Sequence, residues 1–420
     1  MKRYNAYKDS GVKWIGEIPS HWKTTKLKHI IVKLYREKRP NSELLVCSNK
    51  GKVIKKGDSK IGLVADNDDI YQGVCKGDLL IHGMDTWHGA IAISNFDGMC
   101  TPVVHVCDSK QNKTYIALYL QFMAISKVFK LISNGVRQNT SDFRSWDKVG
   151  AIPIMVPPLH EQQVIVDYLK DKTLKIEQYV SARERERELL DSLKQSEIAN
   201  IVTKGLNPNV KMKDSGIPWI GEIPEHWEVK RWGNAFKENK DINSNLENTT
   251  AFQFNYGSLV KKKREYKEEE DAETYAKYTI LKPKDIVING LNLNYDFVSQ
   301  RVAISDDNGI ITSAYISMHP RNNVEAQYFC YLFKTMDAMK LFHGMGTGIR
   351  LTLSFAELKK QYIPIPPLSE QQAIVAYIDE KLQKIDQYMT DLQREIDYLK
   401  EFKQRLISDA VTGQLCITNQ

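Results

Sequence analysis

The chain contains two copies of one pattern, and this duplication constrains its fold more than any other sequence feature. Residues 8–22 read KDSGVKWIGEIPSHW and residues 213–227 read KDSGIPWIGEIPEHW, with 12 of 15 positions identical. Residues 157–203 and 366–412, which open with PPLHEQQ and PPLSEQQ, share 22 of 47 positions without a gap. The stretches between these blocks are similar in length but largely unlike in sequence. An offset this long is no solenoid repeat, so each copy is a globular domain followed by one further element.

The further element is predicted to be a long helix in each copy. Proline pairs at 157–158 and 366–367 block helix upstream, Ser369 with Gln372 predicts a capping box, and Gly205 and Gly413 stand where the helices should end. Apolar side chains recur at alternating spacings of three and four, which is the pattern of a coiled-coil seam. The predicted seam consists of Ile165, Leu169, Ile176, Tyr179, Leu190, Leu193, Ile374, Ile378, Ile385, Tyr388, Leu392, Leu399 and Phe402.

A helix of about 42 residues, roughly 60 Å long, with a single apolar seam needs a partner. The charged residues between the seam positions disfavour its enclosure in a globular core, as in the run RERERE at 183–188. The other copy is the nearest partner, and a pseudo-two-fold relation between copies predicts antiparallel packing, with the globular parts at opposite ends. The alternative is that each helix packs on its own domain.

The globular parts are predicted to be mixed α/β, of the α+β type. Corresponding strand patterns occur at 76–81 and 284–288 and at 90–94 and 302–305, and corresponding amphipathic helices at 114–130 and 324–340. The predicted division is a globular domain at 1–156, a helical region at 157–205, a second globular domain at 206–365, and a helix with a C-terminal tail at 366–420.

Composition excludes several function classes. No apolar run approaches the roughly 18 residues that a membrane span needs, so the chain is expected to be soluble and cytoplasmic. The six cysteines form no Cys-x-x-Cys pair and are expected to be free and mostly buried. Residues 51–59 fail the phosphate-loop pattern, and His82, Asp85 and His88 fit a polar loop better than a metal site. We therefore expect no catalysis, metal or cofactor in this chain.

The charge distribution points to a polyanionic partner. The net charge is +7, whereas residues 1–60 alone hold 16 Lys and Arg against 5 Asp and Glu. Two globular parts on a helical spacer suit a duplex read at two places. The candidate phosphate contacts are Lys50, Lys52, Lys55 and Lys56 in the first copy and Lys261, Lys262, Lys263 and Arg264 in the second. The candidate base contacts and further cations are Arg137, Gln138, Asn139, Arg144, Asn292, Asn294, Tyr295, Arg301 and Arg350. An ordinary solvated surface is the alternative for each cluster.

The repeated motifs resemble those of one known family. The block Gly-x-x-Trp-Ile-Gly-Glu-Ile-Pro-x-His-Trp at 11–22 and 216–227 is similar to the opening of the target-recognition domain in type I restriction–modification specificity subunits. The Pro-Pro-Leu-x-Glu-Gln-Gln block at 157–163 and 366–372 resembles the start of that family's spacer region. Both motifs occur twice and in the family's order, and the resemblance covers almost the whole chain.

The resemblance implies a non-catalytic subunit that reads an asymmetric, bipartite double-stranded DNA target, with one half-site for each target-recognition domain. It implies two modification (adenine methyltransferase) subunits as partners, and restriction (translocase–nuclease) subunits for cleavage. S-adenosylmethionine, ATP and Mg are implied only for those partners, and no membrane is involved. The competing interpretation is a coiled-coil scaffold that bridges two proteins without reading DNA.

Overall fold

The computed structural model describes residues 3–37, 41–57, 70–133, 142–298, 300–348 and 351–417. The chain forms two compact units. Unit 1 contains residues 1–184 and 393–420, and unit 2 contains residues 185–392. The C-terminal part of the chain therefore belongs to the same unit as the N-terminal part.

Unit 1 is built from short strands and a few helices that surround one apolar core. Its first elements are β1 (Tyr7–Asp9), β2 (Glu17–Pro19), β3 (Lys23–Lys26), β4 (Ile31–Lys33), β5 (Leu45–Ser48), β6 (Lys52–Lys55), β7 (Gln72–Val74), β8 (Leu79–His82), β9 (Ile91–Ile93), β10 (Gly98–Cys100) and β11 (Val104–Ser109). They are followed by α1 (Lys113–Ile125), α2 (Val128–Ile132), α3 (Trp146–Gly150), β12 (Pro153–Val156) and the long helix α4 (Leu159–Lys204).

The central sheet of unit 1 is antiparallel, with the strand order β4-β11-β8-β9. The helix α1 packs on this sheet because most of its side chains are apolar and buried, among them Tyr115, Tyr119 and Met123. Asn112 caps the helix, and its side chain accepts from the backbone N–H groups of Thr114 and Tyr115. The pairs β1–β2, β3–β12, β5–β6 and β7–β10 surround this centre.

The elements of unit 2 include the same order of strands and two additional short helices between them. They are β13 (Met212–Asp214), β14 (Glu222–Pro224), β15 (Glu228–Arg231), α5 (Trp232–Ala235), β16 (Phe236–Glu238), β17 (Phe252–Asn255), β18 (Ser258–Lys261), α6 (Glu268–Tyr275), β19 (Thr279–Leu281), β20 (Ile286–Ile288), β21 (Val302–Ile304), β22 (Gly309–Ile311), β23 (Ile316–Pro320), α7 (Ala326–Ala338), α8 (Phe355–Leu358), β24 (Tyr362–Ile365) and α9 (Leu368–Val411). The central order β16-β23-β20-β21 and the pairs β13–β14, β15–β24, β17–β18 and β19–β22 correspond to those of unit 1. The expected mixed α/β fold and its internal repeat are confirmed.

The two long helices pack antiparallel in each unit. In unit 1, Lys403 lies 2.5 Å from Glu177 and Lys400 lies 2.8 Å from Glu184. In unit 2, Lys194 pairs with Asp386 and Lys381 with Glu197, each at 2.6 Å. Partner numbers fall as the first helix advances, which is the mark of antiparallel helices. Gly205 and Gly413 follow the two helix ends with a φ of +76°, as their positions predict.

The alternative, that each helix packs on its own domain, holds for the first turns of the helices. Ile165 and Leu169 of α4 are buried in the core of unit 1, and Ile374 and Ile378 of α9 are buried in the core of unit 2. The middle parts of the helices pack on each other, and their last turns are again buried in a core, with Val202 of α4 in that of unit 2 and Val411 of α9 in that of unit 1. Each helix therefore serves both as a core element and as one strand of the coiled coil.

Three predicted seam residues are more exposed than the rest. Tyr179, Leu193 and Tyr388 are 44%, 55% and 45% exposed, and the residues that follow them, Val180, Lys194 and Met389, are half-buried. The hydroxyl of Tyr388 still donates to Glu186 of α4 at 2.6 Å, so this tyrosine contacts the opposite helix. The other predicted seam residues are buried or half-buried.

The capping box at Ser369 is also absent, because α9 already begins at Leu368. The carbonyl of Pro367 accepts from the N–H groups of Glu370 and Gln371. The side chain of Gln371 donates to the carbonyl of Pro366 at 2.8 Å and accepts from the N–H of Glu325, also at 2.8 Å. Gln162 makes the equivalent pair of bonds in unit 1, with Pro157 and Asn112.

The two repeated sequence blocks meet in space, which explains their joint repetition. In unit 1 the buried carboxylate of Glu161 accepts from the Tyr4 hydroxyl, from His21 Nε2 at 2.9 Å and from Trp22 Nε1 at 3.2 Å. In unit 2, Glu370 accepts from His226 at 2.8 Å and from Trp227 at 3.0 Å. The His-Trp end of one block is therefore anchored to the glutamate of the other.

Candidate nucleic-acid interface

Three segments of unit 1, two of which carry candidate residues, meet at one edge. They are the β5–β6 turn at 49–51, the β8–β9 loop at 83–90 and the segment at 142–145, which together we call the loop edge of unit 1. A Cβ on Gly89 would lie 3.8 Å from the carbonyl oxygen of Asn49, and one on Gly83 would lie 2.9 Å from that of Phe143. The close approach at Gly83 leaves no room for a side chain, so this glycine allows two loops to touch.

Buried side chains hold the segment at 142–145 in place. His105 Nε2 donates to the carbonyl oxygen of Phe143 at 2.7 Å, and burial lowers the pKa of His105, which favours the neutral ring. The ring of Phe143 packs edge-on against Phe129, with centroids 5.2 Å apart. From this anchored segment the exposed Arg144 reaches Met84, with its Nη2 2.6 Å from the sulfur. Arg144 therefore lies on the loop edge.

The equivalent segments of unit 2 meet in the same way. The loop edge of unit 2 consists of the β17–β18 turn at 255–258, the β20–β21 loop at 289–298 and the segments 345–348 and 351–353. Leu353 N–H donates to the carbonyl oxygen of Gly290 at 2.9 Å. A Cβ on Gly257 would lie 2.5 Å from Gln300 Oε1, which places the hairpin turn against the end of the loop.

Arg301 holds the loop of unit 2 from inside, which corrects its assignment as a DNA contact. Its side chain is only 1% exposed. The guanidinium donates to the carbonyl oxygens of Asn289 at 3.0 Å, Leu291 at 2.8 Å and Asp296 at 2.7 Å, and the Arg301 N–H donates to the buried Asp337 at 2.6 Å. A guanidinium enclosed by three carbonyls cannot reach a duplex, so Arg301 is a positioning residue.

The loop of unit 2 exposes several large apolar side chains. Tyr295 is 78% exposed, Phe297 57% and Val298 88%, and Tyr256 at the tip of the hairpin turn is 85% exposed. The ring of Phe297 stacks on His343 with centroids 4.7 Å apart. Asn292, also exposed, and the half-buried Asn294 lie on the same loop. The predicted residues Asn292, Asn294 and Tyr295 are thus brought together on the loop edge.

The basic candidates of unit 1 lie on the β5–β6 hairpin. Lys50 is exposed at its turn and Lys52 is exposed on β6. Lys55 pairs with Glu43 and lies over the ring of Phe96 at 5.3 Å. Lys56 is half-buried. Lys50 therefore belongs to the loop edge, whereas Lys55 is already engaged within the unit.

The basic candidates of unit 2 are mostly paired within the unit. Lys261 lies 2.9 Å from Asp307, and Arg264 pairs with Glu270. Lys262 is half-buried and lies over the rings of Tyr275 and Tyr278 at 5.7 and 5.6 Å. Lys263 is exposed. Contacts with phosphate stay a prediction for this cluster, and they would require Lys261 and Arg264 to exchange partners.

Four predicted residues, Arg137, Gln138, Asn139 and Arg350, lie outside the described residues. Sequence reasoning missed Tyr256, Phe297 and Val298 as exposed residues of the same edge. The dipeptide Tyr256-Gly257 between two alternating segments was a usable hairpin signal. Nothing in the sequence marked the buried contact between Arg301 and the loop.

Other kinds of site find little support. Among the residues that the structure describes, no group of three His, Cys, Asp or Glu side chains could hold a metal ion. His82 Nδ1 instead accepts from the N–H of Asp85 at 3.0 Å. Within the same described ranges no helix is long and apolar enough to cross a membrane. All six cysteines are free and all but the half-buried Cys75 are buried, as expected.

Comparison with known proteins agrees with this architecture. The family model described as the type I restriction modification DNA specificity domain matches residues 19–182 and 224–397. The putative type I restriction enzyme MjaX specificity subunit of Methanocaldococcus jannaschii is 22% identical over 440 aligned residues, covering 96% of this chain and 95% of that protein. The MjaVIII specificity subunit of the same organism is 24% identical over 286 residues, covering 64% of this chain and 63% of that protein.

Solved structures share the fold. A chain from a study of complex assembly and conformational transition of the type I R-M system superposes with a TM-score of 0.71 at 15% identity, covering 95% of this chain and 99% of that one. The HsdS subunit from Thermoanaerobacter tengcongensis gives 0.54 at 18% identity, covering 95% and 98%. Two specificity domains with paired long helices define a DNA-recognition protein. The chain belongs to the family of type I restriction–modification specificity subunits.

Proposed function

We propose that this specificity subunit reads an asymmetric, bipartite sequence in double-stranded DNA, one half-site with each loop edge. The observation that carries the proposal is the convergence of corresponding segments on equivalent edges of both units. The loop edges differ in sequence, whereas the supporting sheet order is the same. Different side chains on one scaffold would read different bases. The candidate contacts on these edges are Lys50, Arg144, Asn292, Asn294 and Tyr295.

The proposed role of the chain is recognition without catalysis. It directs adenine methylation by two modification subunits and cleavage by restriction subunits, and those partners hold S-adenosylmethionine, ATP and Mg. The repeated blocks around Glu161 and Glu370 support two equivalent partner subunits, because they give each unit the same anchored surface. Two copies of one protein could therefore dock in equivalent ways.

The long helices are proposed to set the number of unread base pairs between the half-sites. Helices of 46 and 44 residues run without interruption. Antiparallel ion pairs, such as those of Lys400 and Lys381, fix the register of the two helices. A fixed register is what a spacer of constant length requires, because half-site spacing on a duplex is a geometric quantity.

The proposal is tested by expressing the chain with type I modification subunits in a host that lacks adenine methylation. Genome sequencing that detects methylated adenine should reveal one motif with two different half-sites and a constant gap. The matched control is the same host without this chain, in which the motif should stay unmethylated. Methylation without a motif, or of a symmetric motif, would overturn the proposal.

A gel-shift measurement with the assembled complex distinguishes a DNA-reading subunit from a scaffold that only bridges two proteins. A DNA reader should bind duplex with an affinity that falls steeply between low and physiological salt, since lysine–phosphate contacts release counterions. If the chain only bridges its partners, the complex should bind a duplex that contains the motif no more tightly than a duplex that lacks it.

A further inference from the structure

The exposed apolar side chains on the loop edge of unit 2 are not explained by hydrogen-bonded reading of bases. Tyr295, Phe297 and Val298 follow one another within four residues, and all are more than half exposed. Water contact with side chains of this size is unfavourable, so a surface that retains them in a cluster commonly meets a partner. Their immediate neighbours are the amide side chains of Asn292 and Asn294.

These side chains project from a loop that is held firmly. The N–H of Tyr295 donates to the carbonyl oxygen of Asn292 at 3.2 Å, and the side chain of Leu293 is fully buried between them. Arg301 grips three carbonyls of the loop from inside. Because these contacts fix the backbone of the loop, Tyr295 can insert its ring into a partner without a change in the conformation of the loop.

The loop edge of unit 1 differs at the corresponding places. Trp87 in its β8–β9 loop is half-buried against the unit 1 core, and the amine of Lys130 lies 5.7 Å above its ring. The hairpin turn carries Lys50 where unit 2 carries Tyr256. The described part of this edge therefore offers charge and amide groups but no exposed aromatic ring comparable to Tyr295.

We propose that Tyr295 inserts its ring into the base stack of the half-site bound by unit 2 and opens one base-pair step, while the half-site bound by unit 1 stays stacked. Aromatic rings stack on any base, and apolar side chains wedged between bases unstack a step and bend the duplex. The flanking amide side chains of Asn292 and Asn294 suit the polar edges of bases better than an apolar protein surface. This inference rests on the proposed function.

A consequence for sequence preference follows from the cost of opening a step. Pyrimidine–purine steps unstack most easily, so the opened position should be such a step. Specificity at that position would then come from deformability, without any hydrogen bond to the bases.

The test uses the complex of this chain with its modification subunits, bound to duplexes that contain the recognised motif. The fluorescent adenine analogue 2-aminopurine replaces, one at a time, the adenines on either strand of both half-sites, except the adenines that become methylated and those stacked on them, because methyltransferases flip their target base. Binding should raise the fluorescence several-fold beside one step of the half-site of unit 2, and at no position of the other half-site.

Three variants decide the role of the ring. Tyr295→Ala should abolish the fluorescence rise and weaken binding to the target about tenfold, which is the scale of losing one stacked base. Tyr295→Phe should retain both, because the ring remains. Tyr398→Ala removes a tyrosine of α9 that is 66% exposed and should change neither. If Tyr295→Ala leaves the fluorescence pattern unchanged and still binds the motif specifically, the proposed insertion of Tyr295 is wrong but the proposed function stands. Failure of the unaltered complex to bind its motif specifically would instead overturn the proposed function.

Discussion

The two units hold an equivalent buried aspartate with different side chains. In unit 1, Asp78 accepts from the N–H of Cys75 at 2.7 Å and forms a two-pronged pair with Arg36. In unit 2, Asp285 accepts from the N–H of Lys282 at 2.8 Å and lies 2.5 Å from His319 Nδ1. The comparison shows that both units keep a buried, hydrogen-bonded carboxylate at this turn. The side chain that pairs with the carboxylate differs between the units.

The loop edges differ more than the scaffold does. Unit 1 carries a short β8–β9 loop with Trp87 turned toward the core, whereas unit 2 carries a longer loop with Tyr295 exposed. The segments that differ most are those that meet at the edge, and the elements that agree are the strands and the anchored blocks beneath it. Divergence is therefore concentrated where the proposed function places DNA reading.

The largest expected effect is a complete change of one half-site. Residues 23–156 begin with β3 and end with β12, and these strands pair with each other, with Lys23 opposite Val156. Because its first and last strands pair, the two ends of the segment lie side by side. The segment can therefore be replaced by the corresponding segment of another family member. Methylome sequencing should show one half-site replaced and the other retained. A change in both half-sites would contradict the separation of the units.

A smaller effect is expected from the glutamates that anchor the repeated blocks. Glu161→Ala removes the acceptor of three side chains from a buried site, so it should lower the free energy of unfolding by about 3 kcal/mol. Glu370→Ala should cost about half as much, because Glu370 accepts from two side chains and is partly exposed. Urea unfolding followed by tryptophan fluorescence measures both.

The control for the glutamates is Lys170→Ala on the exposed face of α4, which should change stability very little. Equal costs at Glu161 and Glu370 would show that the contact with the Tyr4 hydroxyl adds nothing. Burial and the hydrogen bond to Glu161 raise the pKa of Tyr4, which is consistent with a donating hydroxyl at all ordinary pH values.

The last prediction compares the two aspartate pairs at acidic and at neutral pH, and its smallest effect is that of His319→Ala. Arg36→Ala leaves the buried Asp78 without its cation and should cost about 2 kcal/mol, less than a fully buried pair because Arg36 is about a third exposed. His319→Ala should cost about 1 kcal/mol near neutral pH and less in acid. Burial raises the pKa of Asp285, so a proton can replace the missing partner as the pH falls.

The pH experiment is a pair of unfolding curves for each variant, at acidic and at neutral pH. The penalty of His319→Ala should grow as the pH rises through the raised pKa of Asp285, since the folded state then gives up the proton that it bound more tightly. A penalty that is independent of pH would show that Asp285 stays ionised without His319.

The duplication, the long helices and the corresponding strands could be predicted from the sequence because each leaves a periodic or repeated signal. The half-burial of Lys194 beside the more exposed Leu193 could not be predicted, because Lys194 pairs with Asp386 of the opposite helix. Such a contact joins residues far apart in the chain, so no local pattern contains it.

The candidate site was predictable in composition but not in geometry. In the sequence, Arg301 is an ordinary basic residue beside a predicted strand. Its three carbonyl partners are apparent only from the folded conformation of the loop. Likewise, Lys261 and Arg264 look like free positive charge until Asp307 and Glu270 are brought beside them. A run of basic residues in the sequence does not show which of them form ion pairs with acidic residues elsewhere in the fold.

The C-terminal residues of the chain complete the core of unit 1. Leu406, Val411 and Leu415 are buried there, and the hydroxyl of Tyr115 donates to the carbonyl oxygen of Val411 at 3.1 Å. On the ribosome, residues 185–392 of unit 2 are therefore made before unit 1 receives residues 393–417, although residues 3–184 of unit 1 are made earlier. Unit 1 leaves apolar surface exposed until those residues are made, and a product truncated before them would be a ready substrate for chaperones and proteases.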